Sequence, residues 1–147
     1  MSAQEPATDY LVVGAGAAGL AFADALLAHS DATVTILDRR AAPGGHWNDA
    51  YPYVRLHQPS AFYGVSSLPL GRDTIDAAGT NAGSYELAGA EGIRAYFAQV
   101  MARRAATGRV RYLPGREYTG TWPAPVRRKV VDTTYLEGTI PATSPPP

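Results

Sequence analysis

A glycine-rich turn between a short apolar segment and a run of small residues constrains the fold more than any other part of this sequence. Residues 9–14 are mostly apolar and end at glycine, which is typical of a buried parallel strand. Apolar residues then recur at helical spacing over residues 17–28, and residues 33–38 read as a second strand. A strand, turn, helix and strand within about thirty residues form a βαβ unit, for which a right-handed crossover is expected.

Each glycine of the turn Gly14-Ala15-Gly16-Ala17-Ala18-Gly19 has a separate physical role. Gly14 permits the tight turn after the strand, and Gly16 allows a pyrophosphate to approach the backbone. Gly19 lets the helix pack closely against the strand. The helix that begins near Ala17 presents free N–H groups and a positive dipole end to phosphates. This context favours dinucleotide binding over the alternative, a glycine turn with a purely structural role.

An acidic residue, Asp38, ends the second predicted strand 24 residues after Gly14. Its carboxylate is placed to accept hydrogen bonds from the adenosine ribose and to repel a ribose 2′-phosphate, which disfavours NADP at this site. Arg39 and Arg40 follow directly. A solvated loop is the favoured interpretation for them, with phosphate pairing as the alternative. Arg39 is retained as a candidate cofactor-binding residue.

The rest of the chain predicts one α/β domain over residues 1–140. Residues 39–89 are rich in Gly and Pro and show no sustained helical period, and an irregular excursion of this length is usually functional or partly disordered. A helix beginning near Glu91 is expected to end near Gly108, with strands at 109–113 and 129–134. Residues 141–147, with four prolines, are predicted to begin a linker.

Composition excludes several kinds of chemistry. The 147 residues contain no cysteine, so disulfides, thiolate zinc sites and a cysteine nucleophile are ruled out. No metal-ligand cluster, Ser/His/Asp set or paired carboxylates stand out, and the uneven distribution of arginine gives no reason to infer nucleic-acid binding. The apolar run 11–28 is rich in Gly and Ala and contains Asp24, so a membrane span is the weaker interpretation and a cytoplasmic protein is expected.

Several segments resemble the superfamily of flavin-containing and Baeyer–Villiger monooxygenases. Residues 38–47, DRRAAPGGHW, resemble its acid-then-GGxW segment, and residues 51–60, YPYVRLHQPS, resemble the YPG stretch that follows. In the second stretch His57 stands where the family pattern has an acid. The helix and strand within 93–113 match the family's order of elements. Residues 130–134, followed by Ile140-Pro141, resemble its strand and ATG-type turn before an interdomain linker.

The resemblance implies that the glycine turn holds the FAD pyrophosphate and that Asp38 holds the adenosine ribose. It also implies that Gly45 allows close backbone approach, that Trp47 packs near the cofactor and that Arg55 lies by the flavin or its phosphates. The predicted cofactor-binding residues are Gly14, Gly16, Ala17, Ala18, Gly19, Asp38, Arg39, Gly45, His46, Trp47 and Arg55. No catalytic residue and no metal ligand is assigned.

The sequence therefore predicts a Rossmann-like, three-layer FAD-binding domain with an incomplete parallel sheet. Its expected function is the N-terminal, FAD-binding portion of a flavin-dependent, NAD(P)H-using oxidoreductase resembling the monooxygenases. Only one GxGxxG occurs, so the NADP(H) site implied for a complete family member is expected in a missing C-terminal domain. Expected partners are a small-molecule cofactor and substrate, with no nucleic acid or membrane. The alternatives are a truncated, non-catalytic dinucleotide-binding module and a small NAD-dependent dehydrogenase.

Overall fold

The computed structural model describes residues 6–134, which form four strands and two α-helices. In chain order these are β1 (Thr8–Val13), α1 (Ala17–His29), β2 (Val34–Asp38), α2 (Ala90–Ala105), β3 (Val110–Pro114) and β4 (Val126–Asp132). All six predicted elements are present. The predicted domain end at residue 140 and the linker at 141–147 lie outside the described residues and stay predictions.

The four strands form one parallel sheet in the order β3-β2-β1-β4. Two successive connections move the chain outward from β1 to β2 and then β3, and the next returns it to the other side of β1. The strand order therefore reverses between β1 and β4. Ligands of open α/β sheets bind at such a switch point, beyond the carboxyl ends of the strands.

The two faces of the sheet are covered in different ways. Both helices pack on one face, in a core that includes Leu20 of α1 and Phe97 of α2. The opposite face, centred on Leu11, is covered by the irregular segment 115–125, which contributes Trp122. The predicted α/β class and three layers are confirmed. In the described residues the third layer contains no helix or strand.

The excursion 39–89 is irregular, as predicted, but many contacts hold it to the domain. It contains two short 3₁₀-helices, Gly45–Asp49 and Ser60–Phe62. The hydroxyl of Tyr96 in α2 accepts the Val65 N–H at 2.7 Å and donates to the Leu68 carbonyl at 2.6 Å. Because this hydroxyl both accepts and donates a hydrogen bond, it fixes the path of the loop over the helices.

The fourth strand begins three residues before its predicted start, at Val126. Pairing with β1 explains the difference, because Thr8 lies opposite Val126 and Tyr10 opposite Lys129, with a register shift between these pairs. The alternation of apolar and polar residues within a strand does not indicate which distant strand it will pair with. Neither helix within residues 6–134 combines the length and hydropathy needed to cross a membrane.

Candidate dinucleotide-binding site

A cleft of about 230 Å³ opens at the carboxyl ends of β1 and β4, where the strand order reverses. The glycine turn forms its floor, the end of β2 forms one side, and the start of the first 3₁₀-helix forms another. Its lining residues are Gly14, Gly16, Ala17, Ala18, Asp38, Gly45, His46, Thr133 and Thr134. The structure thus brings together seven of the predicted cofactor-binding residues from three separate segments.

The glycine turn leaves no room for side chains on its inner side. Gly14 has φ +105°, a conformation that residues with a Cβ rarely adopt. A Cβ on Gly19 would lie 2.0 Å from the Gly14 carbonyl oxygen, so α1 can pass this close to β1 only with glycine there. A Cβ on Gly16 would lie 3.3 Å from the Gly45 Cα, which shows how closely the two loops approach.

The amino terminus of α1 faces the cleft without a side-chain cap. Gly16 occupies the N-cap position and has no side chain to accept a hydrogen bond, and the first turn carries no acidic residue. The N–H groups of the first turn and the positive end of the helix dipole therefore remain available to an anion. This arrangement is chemically suited to a phosphate or pyrophosphate.

Asp38 stands at the end of β2 with only 5% of its surface exposed. One carboxylate oxygen accepts the Ala15 N–H at 2.7 Å, and the other accepts the Arg40 N–H at 2.7 Å. These two bonds fix the orientation of the carboxylate and tie the glycine turn to β2. Each oxygen retains a lone pair that can accept a hydrogen bond from a ribose hydroxyl.

A second cleft of about 130 Å³ adjoins the first and shares Gly14, Asp38 and Thr134 with it. Backbone hydrogen bonds continue the pairing past the ends of β2 and β3, from the Gly115 N–H to the Arg40 carbonyl and from the Arg116 N–H to the Asp38 carbonyl. Its other lining residues are Val13, Leu37, Arg39, Arg40, Arg116, Glu117 and Tyr118. The predicted residue Arg39 lies here.

Sequence reasoning did not assign the cleft residues Thr133 and Thr134, or Arg116 and Tyr118. All four follow the carboxyl ends of the two outer strands, β3 and β4. A usable signal was their position at or just after the carboxyl ends of predicted strands, combined with the rule that ligands bind beyond those ends in an open α/β sheet.

The loop of residues 44–47 borders the cleft, and only two of its residues form the wall that lines it. The Gly44 N–H donates to the Ala15 carbonyl at 2.9 Å, which docks this loop on the glycine turn. Gly45 and His46 line the cleft. Trp47 does not line it. Its side chain is 6% exposed and lies in the main core, with its indole N–H donating to the Tyr63 hydroxyl at 2.8 Å.

Arg55 lies away from both clefts. Its guanidinium donates to the Leu87 carbonyl at 3.3 Å, and its side chain lines a separate open depression beside Gly89, at the start of α2. The structure does not bring it to the cleft, and contact between Arg55 and a cofactor stays a prediction. Within residues 6–134, no group of three or more His, Cys, Asp or Glu side chains is placed to hold a metal ion.

Comparisons with known proteins agree with this geometry. Residues 12–68 match a family model described as an NAD(P)-binding Rossmann-like domain. Uncharacterized proteins of Mycobacterium tuberculosis and Mycobacterium bovis are each 49% identical to this chain over 151 residues. Those alignments cover 95% of this chain and 28% of each relative, so the chain spans little more than a quarter of their length.

Solved structures of flavin monooxygenases share the fold. A mutant flavin monooxygenase from Stenotrophomonas maltophilia has a TM-score of 0.54 at 27% identity, over 69% of this chain and 27% of that protein. An oxidized steroid monooxygenase bound to NADP has a TM-score of 0.52 at 25% identity, over 72% of this chain and 19% of that protein. The predicted resemblance is confirmed: residues 12–68 match an NAD(P)-binding Rossmann-like domain, and the fold is similar to part of the flavin monooxygenase structures.

Proposed function

We propose that this chain binds FAD through the ADP half of the cofactor, as the dinucleotide-binding portion of a flavin-dependent, NAD(P)H-using oxidoreductase of the monooxygenase type. The observation that carries the proposal is the uncapped amino terminus of α1, which faces a cleft beside the buried carboxylate of Asp38. N–H groups that can donate to phosphate and a carboxylate that can accept from ribose hydroxyls lie together at one switch point, which suits an adenine dinucleotide.

The residues present fit that ligand. Gly16, Ala17 and Ala18 would hold the pyrophosphate at the start of α1, since the missing side chain at Gly16 leaves the backbone open to it. Asp38 would hold the adenosine ribose, and the second cleft, which continues beyond Asp38, would receive the adenine. A bound flavin would supply the redox chemistry, while these residues bind and orient it.

The test is a titration of the purified chain with FAD, followed by flavin fluorescence. We expect saturable binding by the natural chain and none by Gly16→Val, whose branched side chain would enter the pyrophosphate space. Gly92→Val is the matched control, because apart from its chain neighbours and its own helix backbone nothing lies within 4 Å of a Cβ at Gly92, and the residue lies outside both clefts. His57→Ala is also expected to bind as the natural chain does. A natural chain that takes up no FAD would refute the cofactor assignment.

A second candidate, binding of NAD(P) in the same cleft, is favoured by the description of the matching family model. Competition separates the two ligands. If NADH binds and FAD neither binds nor displaces it, the cleft is a nicotinamide dinucleotide site. If FAD binds with the higher affinity and displaces NADH, the flavin proposal stands. In either case Asp38 is expected to favour NADH over NADPH by repelling the ribose 2′-phosphate.

A further inference from the structure

We propose that Tyr63 is a positioning residue: its hydroxyl holds the indole of Trp47 and so keeps the Gly45–His46 wall of the cleft in the geometry that admits the ligand. The identity of that ligand rests on the function proposed above. The inference gives Trp47 a supporting role behind the wall in place of contact with the cofactor.

The contact between Trp47 and Tyr63 links the wall to the core. The indole N–H donates to the Tyr63 hydroxyl at 2.8 Å, and the two rings meet edge to face with centroids 6.1 Å apart. Trp47 is bonded to His46 along the chain, and its own N–H donates to the Gly44 carbonyl at 3.1 Å. A shift of the buried indole would therefore move the residues that line the cleft.

Tyr63 is itself held firmly from the helix side. Its ring meets Phe97 of α2 edge to face at 6.1 Å. Two residues after Tyr63, the Val65 N–H donates to the Tyr96 hydroxyl of α2. Four residues after Tyr63, the Ser67 N–H donates to the Asp24 carboxylate of α1 at 3.1 Å. Both helices thus fix the segment that carries Tyr63, which makes its hydroxyl a rigid support.

On its opposite side the wall is docked on the glycine turn through the bond from the Gly44 N–H to the Ala15 carbonyl, and within the loop the Asn48 side chain donates to the Gly45 carbonyl at 3.1 Å. Without the Tyr63 hydroxyl, the indole N–H of Trp47 would be buried without its acceptor, which is unfavourable enough to move the indole and with it the wall. The fraction of molecules with a binding-competent cleft would then fall, and the apparent affinity would fall in the same proportion.

The first experiment compares Tyr63→Phe with Tyr85→Phe, a control in the same excursion whose side chain is 49% exposed. FAD titration should show binding roughly tenfold weaker for Tyr63→Phe and unchanged for Tyr85→Phe. In the ligand-free chain, the amide hydrogens of Gly44 and Trp47 should exchange roughly tenfold faster in Tyr63→Phe only. Equal affinity and equal exchange for the two variants would overturn the proposal.

The exchange measurement separates failure of this inference from failure of the cofactor assignment. If the natural chain binds no FAD, faster exchange in Tyr63→Phe still supports the positioning role, and unchanged exchange still refutes it. Trp47→Phe provides a second route if Tyr63→Phe does not fold. It should weaken FAD binding to a similar degree, and the double variant should bind no worse than Trp47→Phe alone. Natural affinity in Trp47→Phe would also overturn the proposal.

Discussion

Tyr112 of β3 carries a hydroxyl that is buried and has no hydrogen-bond partner among the described residues. Such a group loses its hydration on folding and gains no bond in return. Burial, and to a smaller extent the negative charge of Asp38, raise the pKa of Tyr112 to about 12. The neutral phenol is therefore favoured in the folded state, which links this one residue to stability at high pH.

We expect Tyr112→Phe to raise the free energy of unfolding by about 1 kcal/mol near neutral pH, since it removes an unsatisfied polar atom. In the natural chain the unfolded phenol ionises near pH 10 and the folded one near 12. The contribution of Tyr112 to the free energy of unfolding is therefore constant below pH 10 and falls as the pH rises from 10 to 12. The variant should lose less over that range.

Urea unfolding at pH 8 and at pH 11.5 measures both effects. Tyr53→Phe is the control, because that side chain is 78% exposed and should change stability at neither pH. An equal loss of stability between the two pH values in the natural chain and in Tyr112→Phe would contradict the prediction.

At the scale of elements, a buried ion pair joins the two helices. Asp24 of α1 is 1% exposed, and it accepts a hydrogen bond from the Nε of Arg104 in α2 at 2.8 Å. Its carboxylate also accepts hydrogen bonds from the N–H and the hydroxyl of Ser67, so this one carboxylate connects α1, α2 and the irregular excursion. Desolvation makes the net worth of such a pair small, but the loss of one partner is costly.

Arg104→Met should therefore lower the free energy of unfolding by about 3 kcal/mol, because it leaves the Asp24 carboxylate buried without its cation. The double variant Asp24→Leu/Arg104→Met should recover much of that loss. Urea unfolding measures both. Arg103→Met, next in sequence but exposed, is the control and should change stability by less than about 0.5 kcal/mol. Equal effects at positions 103 and 104 would refute a structural role for the pair.

At the scale of the whole molecule, the cleft joins the glycine turn, the ends of β2 and β4 and the start of the irregular excursion, so a ligand there should stabilise the entire domain. FAD at a hundred times its dissociation constant should raise the free energy of unfolding by about 2.7 kcal/mol. Riboflavin, which lacks the ADP half, should give no such increase. Thermal unfolding with each compound measures this, and equal stabilisation by the two would contradict binding through the ADP half.

Much of this domain could be predicted because its main elements carry local signals. The apolar strand, the glycines of the turn and the acid after β2 are each defined by spacing within a few dozen residues. The start of β4 could not be predicted in the same way, since pairing with Thr8 determines it across more than a hundred residues. The position of Arg55 beside Gly89 likewise depends on a long loop whose path local patterns do not specify.

The sequence by itself determined the βαβ unit and the glycine turn that opens α1, because strand and helix periodicity and the steric limit between Gly19 and the Gly14 carbonyl act between near neighbours. Only the tertiary structure decided how the cleft is closed. It buried Trp47 against Tyr63, brought residues 133–134 to the glycine turn and covered the second face of the sheet with segment 115–125. These features depend on packing between distant segments, which is settled when the whole core forms.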